Sequence, residues 1–152
     1  MIQQNYSKQD LILIARERIR RQHVYRYRDM FPDLYKFQAD TIRFTKTKTA
    51  VLLCAANRIG KTYLGTYIDA VHLMGDYPDD WDGHVFEHPP TCWLLGYSGE
   101  KTRDLLQTAL FGRLEDRTFL GGLIPADLIV DYVSMTGTSG AMREVRVKHT
   151  SG

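Results

Sequence analysis

Ala50-Val51-Leu52-Leu53-Cys54-Ala55-Ala56-Asn57-Arg58-Ile59-Gly60-Lys61-Thr62 joins an apolar run to a glycine-lysine-threonine turn. The run Ala50–Ala55 has strand length and is apolar throughout, which suits a strand covered on both faces in a parallel sheet. Ala55–Thr62 fits the phosphate-loop pattern, Gly, four residues, then Gly-Lys-Ser/Thr, except that Ala55 stands at the first glycine. Gly60 allows the tight turn that points successive N–H groups at phosphate oxygens. Lys61 brings a mobile positive charge, and Thr62 offers a hydroxyl to Mg²⁺. A helix is expected from Lys61 to Met74, with Leu64, Ile68 and Val71 on one face and Gly75 as its stop. Its positive end would face the anion.

Working outward, Thr91–Gly96 reads as a second apolar strand. Ser98 then caps a helix whose Leu105, Leu106, Ala109 and Leu110 are expected to face inward. Residues 121–140 are turn-rich, and Glu144–His149 reads as a third strand. Asp76–Pro90, rich in Asp, Pro, Gly and aromatics, reads as a surface insertion. Upstream, helices are expected at about Ser7–Asp29, with Ser7 as N-cap and Ile12, Ala15 and Ile19 at helical spacing, and at Leu34–Phe44. Pro32 marks the break between them. Strand, loop, helix, strand, helix, strand is the order of an α/β fold with a parallel sheet flanked by helices.

A chain of 152 residues suits one domain plus an arm, here a basic helical arm over 1–30 and a body over 31–152. Apolar content of 43% against 25% charged argues against disorder. No apolar run reaches the roughly 18–20 residues that cross a bilayer, and the N-terminus lacks a signal-peptide pattern. No membrane partner is expected, and the protein should stay in the cytoplasm where it is made. Cys54 and Cys92 sit in apolar runs without a CxxC partner and read as buried thiols in a reducing compartment. Residues 1–50 carry eleven Lys and Arg against five Asp and Glu; the rest carries nine against thirteen. Arg16, Arg18, Arg20, Arg21, Arg26 and Arg28, interleaved with Tyr25 and Tyr27, concentrate that surplus on the first helix. DNA phosphates, a protein partner and a solvated face are the three readings.

The candidate nucleotide-binding residues are Ala56, Asn57, Arg58, Ile59, Gly60, Lys61 and Thr62, with ATP and Mg²⁺ as cofactors. Lys61 and Arg58 are the catalytic candidates. Arg58 either touches the γ-phosphate, braces the loop against a carboxylate, or is a surface arginine. Tyr35-Lys36-Phe37-Gln38 resembles the glutamine motif that motor ATPases place before the first strand. The Gln38 amide can pair with the donor and acceptor on the adenine edge while an aromatic stacks on the base; a plain surface glutamine is the alternative.

Several segments together resemble the large subunit of bacteriophage DNA-packaging terminases. They are Ala55–Thr62, Gly75-Asp76-Tyr77-Pro78-Asp79-Asp80-Trp81-Asp82-Gly83, Trp93-Leu94-Leu95-Gly96-Tyr97-Ser98, Thr102-Arg103-Asp104 and Val147-Lys148-His149-Thr150-Ser151-Gly152. The resemblance runs in order from Phe37 onward. It implies an incomplete RecA-like ATPase domain, working in the bacterial host cell to pump double-stranded DNA into a procapsid, with a separate nuclease. The partners it implies are DNA, a small terminase subunit, the portal and procapsid, and further copies of the chain. By the same resemblance Lys61 and Thr62 bind phosphate and Mg²⁺, Arg58 senses the γ-phosphate and Gln38 reads adenine.

Hydrolysis in this class needs an apolar strand ending in Asp-Glu, and no such pair occurs in the 152 residues. Leu128-Ile129-Val130-Asp131 imitates it, but Tyr132 follows where the base belongs. The expectation is a chain that stops short of that strand and binds ATP while hardly hydrolysing it. Gly96–Thr102 mimics a second phosphate loop, with Glu100 repelling phosphate; Arg103 is a candidate trans-acting arginine finger or a surface arginine. His84 and His88 lie in what reads as a solvated loop rather than a zinc site. Another P-loop enzyme such as a helicase or small kinase, and a non-catalytic module binding DNA or the small subunit, are the alternative functions.

Overall fold

Ser7 opens α1 (Lys8–Val24) as its sequence position suggests. Its hydroxyl accepts the Asp10 N–H at 3.2 Å, and the Asp10 carboxylate accepts the Ser7 N–H at 3.0 Å. This reciprocal pairing satisfies two N–H groups that a helix start leaves over. The computed structural model describes residues 7–24, 34–115 and 117–152. The end of the expected first helix, with Tyr25, Arg26, Tyr27 and Arg28, and the break at Pro32 lie outside the described residues, as do the side chains of Arg18, Ile19, Arg20 and Arg21. Ile12 and Ala15 are exposed.

Two helices carry the centre of the body. α2 (Lys36–Thr45) buries Gln38, Thr41 and Ile42. α3 (Lys61–Met74) buries Leu64, Tyr67, Ala70, Val71 and Met74, each at most 1% exposed. Burial of Leu64, Val71 and Met74 contributes about 1.5–3 kcal/mol each relative to exposure. Gly75 ends α3 with φ +66°, and its N–H bonds back to the Val71 carbonyl at 2.9 Å. A side chain there would also collide with His149 and Thr150. Thr150 uses that approach: its N–H donates to Met74 O at 2.9 Å and its hydroxyl to Gly75 O at 2.8 Å. The segment after the last strand thus caps the carbonyl end of α3.

The second helical rod runs through α4 (Gly99–Lys101), a π-helical run Thr102–Gln107 and α5 (Thr108–Phe111). Leu110 and Phe111 are buried, joined by Phe119, Leu123 and Ile124 in the core around α3. Leu105, expected inward, is 58% exposed, and Gln107 is buried instead. The π run explains the change, because its bonds span five residues and shift which side chains face the core; the Thr108 N–H reaches the Arg103 carbonyl.

The strands depart furthest from expectation. β1 (Gly112–Glu115) pairs antiparallel with β2 (Thr118–Gly121), and β3 (Ile129–Ser134) with β4 (Met142–Val147). The third expected strand is therefore β4, two residues earlier than read, in a hairpin whose first arm sits inside the turn-rich stretch. Ala50–Ala55 and Thr91–Gly96 form no ladder among the described residues. Their side chains are correspondingly bare: Leu52 is 87% exposed, Trp93 82% and Leu95 83%. Leu53 and Leu94 pack against the core. Cys54, expected to be buried, is exposed because its segment has no neighbouring strand; Cys92 is half-buried. What these residues form is a mixed α/β structure with small antiparallel sheets.

The insertion after Gly75 is docked rather than loose. His72 of α3 meets the rings of Tyr77, Trp81 and Phe86 edge-on at 5.7, 5.6 and 4.9 Å between centroids. Asp82 accepts from Arg43 Nε at 2.9 Å and Lys46 Nζ at 2.8 Å, and the Thr45 hydroxyl accepts the His84 N–H at 3.0 Å. The insertion therefore clasps the end of α2 to the end of α3. No helix among the described residues is long and apolar enough to cross a membrane.

Candidate functional site: the loop before α3

Between the apolar run and α3, the loop turns through two left-handed residues, Arg58 at φ +65° and Gly60 at φ +87°. Glycine adopts this conformation freely, whereas arginine is strained there by about 1–2 kcal/mol. Gly60 is the N-cap of α3, and among the described residues no side chain caps the helix start. No acidic residue occupies the first turn, so the positive end of a four-turn helix is left open. Lys61 turns back over the loop: its Nζ donates to Ala55 O at 2.8 Å and Ala56 O at 2.5 Å. Ala56, Asn57, Arg58 and Thr62 are exposed, and Ile59, Gly60 and Lys61 are partly covered. The Thr62 hydroxyl makes no hydrogen bond among the described residues, while its carbonyl accepts from Thr66 at 3.0 Å.

Gln38 is brought to this loop by α2 but lies inside the protein, only 3% exposed. Its Oε1 accepts the Tyr35 N–H at 2.9 Å, and its Nε2 points at Gly60 O at 3.5 Å. Tyr35, 67% exposed, stacks on Phe37 with ring planes 10° apart.

The loop Gly96–Thr102 differs in the feature that matters for anions. The Ser98 hydroxyl accepts the Lys101 N–H at 3.3 Å, so this helix start is capped by its own chain. Arg103 is engaged internally, donating from Nε to Asp104 at 2.7 Å and from Nη1 to Ser139 O at 2.6 Å. Gln107, which no sequence signal singled out, holds the same turn: Nε2 donates to Gly140 O and Oε1 accepts the Met142 N–H, both at 2.9 Å. A cleft of about 890 Å³ lies between Thr91–Gly96 and β4, with Arg103 and Gln107 in its wall, apart from the loop 55–62. Asp131 sits exposed on β3, its carboxylate accepting the Tyr132 N–H at 2.8 Å. Among the described residues no three His, Cys, Asp or Glu side chains converge as a metal site, and His84 packs its ring on Phe86.

Two titratable groups on α3 are displaced from their ordinary ranges. Burial, with His84 nearby, pulls His72 down to about 4. Burial pushes Asp69 up to about 6. Burial and the Asp69 charge together raise the Cys92 thiol to about 11, which keeps it protonated and unreactive near neutral pH.

Taken by class, the chain is a mixed α/β protein whose longest buried helix starts uncapped behind a glycine-lysine-threonine turn. It is similar to the terminase large subunit of Salmonella phage P22, at 29% identity over 108 residues. That match covers 62% of this chain and 22% of the phage P22 protein, so the chain corresponds to a limited part of that relative. No family model and no solved structure matches the chain.

Proposed function

We propose that residues 31–152 are the front portion of the ATP-binding domain of a terminase-type DNA-packaging motor, and that residues 1–30 are a basic arm on it. The observation that carries the reading is the uncapped start of α3 behind the left-handed turn at Arg58 and Gly60, with Lys61 Nζ held over the loop. An anion entering there meets the N–H end of α3, a helix dipole of the right sign and an ammonium that needs only to exchange carbonyl oxygens for phosphate oxygens. The likeness to the phage P22 protein supports packaging over other uses of such a loop.

In this reading Lys61 and the backbone of residues 56–60 grip the β- and γ-phosphates of ATP. Arg58, exposed on the loop, lies beside the γ-phosphate. The free hydroxyl of Thr62 suits Mg²⁺, which would neutralise phosphate charge. Ala50–Ala55 and Thr91–Gly96 belong to a RecA-like parallel sheet completed by strands these residues do not supply. The bare faces of Leu52, Trp93 and Leu95 support that completion, since unpaired apolar strands are otherwise aggregation-prone. The complete motor would act in the bacterial host cytoplasm on double-stranded DNA, with a small subunit, a portal and procapsid, and further copies of itself.

The 152-residue chain is expected to bind Mg·ATP while releasing phosphate no faster than buffer, because no Asp-Glu pair is present to activate water. A malachite-green time course checks this. Robust release that disappears in Lys61→Ala would overturn it, since a base within these residues would then be at work.

A further inference from the structure

We infer that Gln38 is a positioning residue that holds the phosphate loop at Gly60, and that it does not read the nucleotide base. The inference rests on the phosphate-loop reading above and deepens it. The carboxamide is oriented by its surroundings. Oε1 meets a donor, the Tyr35 N–H at 2.9 Å, and Nε2 meets an acceptor, the Gly60 carbonyl at 3.5 Å. Turning the amide over would set donor against donor and acceptor against acceptor, so both neighbours select the same orientation.

The two contacts divide the work. The first is the glutamine half of a capping box and closes the opening turn of α2. The second crosses 22 residues of sequence to the residue immediately before Lys61. That carbonyl also accepts the first helical bond of α3, from the Leu64 N–H at 2.9 Å. Gln38 thus ties the start of one helix to the start of the other through a single oxygen. Gly60 also leaves room for this contact: a β-carbon there would lie 2.9 Å from Gln38 Nε2 and would push the amide aside. Reading adenine needs a free donor and a free acceptor side by side on an accessible amide edge. At 3% exposure Gln38 presents no accessible amide edge, although one N–H and one lone pair remain beyond its two contacts.

The test is calorimetric binding of ATP, GTP and inorganic tripolyphosphate, each with Mg²⁺, to the full chain and two variants. Gln38→Glu keeps the acceptor for Tyr35 and removes the donor toward Gly60. Gln38→Met removes that donor without adding charge. Affinity for all three ligands is expected to fall together by about threefold to tenfold in both variants, the scale of one lost hydrogen bond. The ATP-to-GTP ratio should stay at its wild-type value, while the thermal midpoint of Gln38→Glu should fall below that of Gln38→Met, because its carboxylate is buried against the Gly60 carbonyl. Loss of ATP affinity with GTP and tripolyphosphate unchanged would overturn the inference in favour of base reading. Unchanged binding of all three, or loss confined to the charged variant, would also overturn it. If the folded wild type binds neither ATP nor tripolyphosphate, the phosphate-loop reading itself fails, an outcome distinct from all the others.

Discussion

Lys61→Ala is expected to weaken Mg·ATP binding by about tenfold to a hundredfold, the largest effect of any single substitution in the loop. A charge-assisted hydrogen bond contributes about 1.5–3 kcal/mol, and about 1.4 kcal/mol is a factor of ten. Without ligand, Nζ spends its donors on Ala55 O and Ala56 O. Those residues are exposed, so water can replace the ammonium and the fold should lose little. A thermal melt of the variant close to wild type, with binding lost, is therefore the expected pair of results. Tripolyphosphate should lose affinity by the same factor, because the charge acts on phosphate and not on the base. A folded variant that binds ATP as tightly as wild type would show that the loop is not the phosphate site.

What could be read from sequence was local, and where the fold is decided by distant partners the reading stopped. The limits of α3 follow from Gly60, the apolar spacing of Leu64, Ile68 and Val71, and Gly75, all contained within the helix and the residues that flank it. The caps at Ser7 and Ser98 follow from a hydroxyl reaching three residues on. By contrast, the side chains exposed along Ala50–Ala55 and Thr91–Gly96 depend on whether strands lie beside them, which no apolar run can state about itself. The turn-rich reading of residues 121–140 hid β3, whose pairing with β4 is set from outside by Gln107 and Arg103 on the helical rod. The insertion after Gly75 read only as a surface insertion because its docking depends on Arg43, Lys46 and His72, which precede it in the chain. For the candidate site, the type and order of residues were legible. The burial of Gln38 was not, because it arises from the approach of α2 to a loop 22 residues away.

The second large effect concerns pH, and it comes from two groups on α3 that oppose each other. His72 has its folded value lowered to about 4, so the unfolded chain takes up a proton first as pH falls below about 6.5. Stability from this group is complete above about 6.5 and is lost on the way down to 4, by at most about 3 kcal/mol. The hydrogen bonds accommodate its neutral state. Tyr77 Oη accepts the Phe86 N–H at 3.0 Å, which leaves its own hydrogen for His72 Nδ1 at 3.1 Å. Asp69 works the other way. Its folded value is raised to about 6, so between 6 and 3.8 the folded chain holds the proton more tightly and acid stabilises. Asp69 is only partly buried and solvent screening trims its share, so the ceiling of about 3 kcal/mol applies less fully to it. In wild type the two slopes largely cancel between pH 6 and 4. Asp40, Asp82 and Asp104, whose values are lowered by Lys36, by Lys46 with Arg43, and by Arg103, lose their contributions below that window. Asp69→Asn should therefore be more stable than wild type at pH 7 and should lose about 2 kcal/mol between pH 6.5 and 4.5 in urea titrations. His72→Phe should show the opposite slope, gaining stability over the same interval. Parallel pH profiles for the two variants would mean that neither buried group titrates as its surroundings dictate.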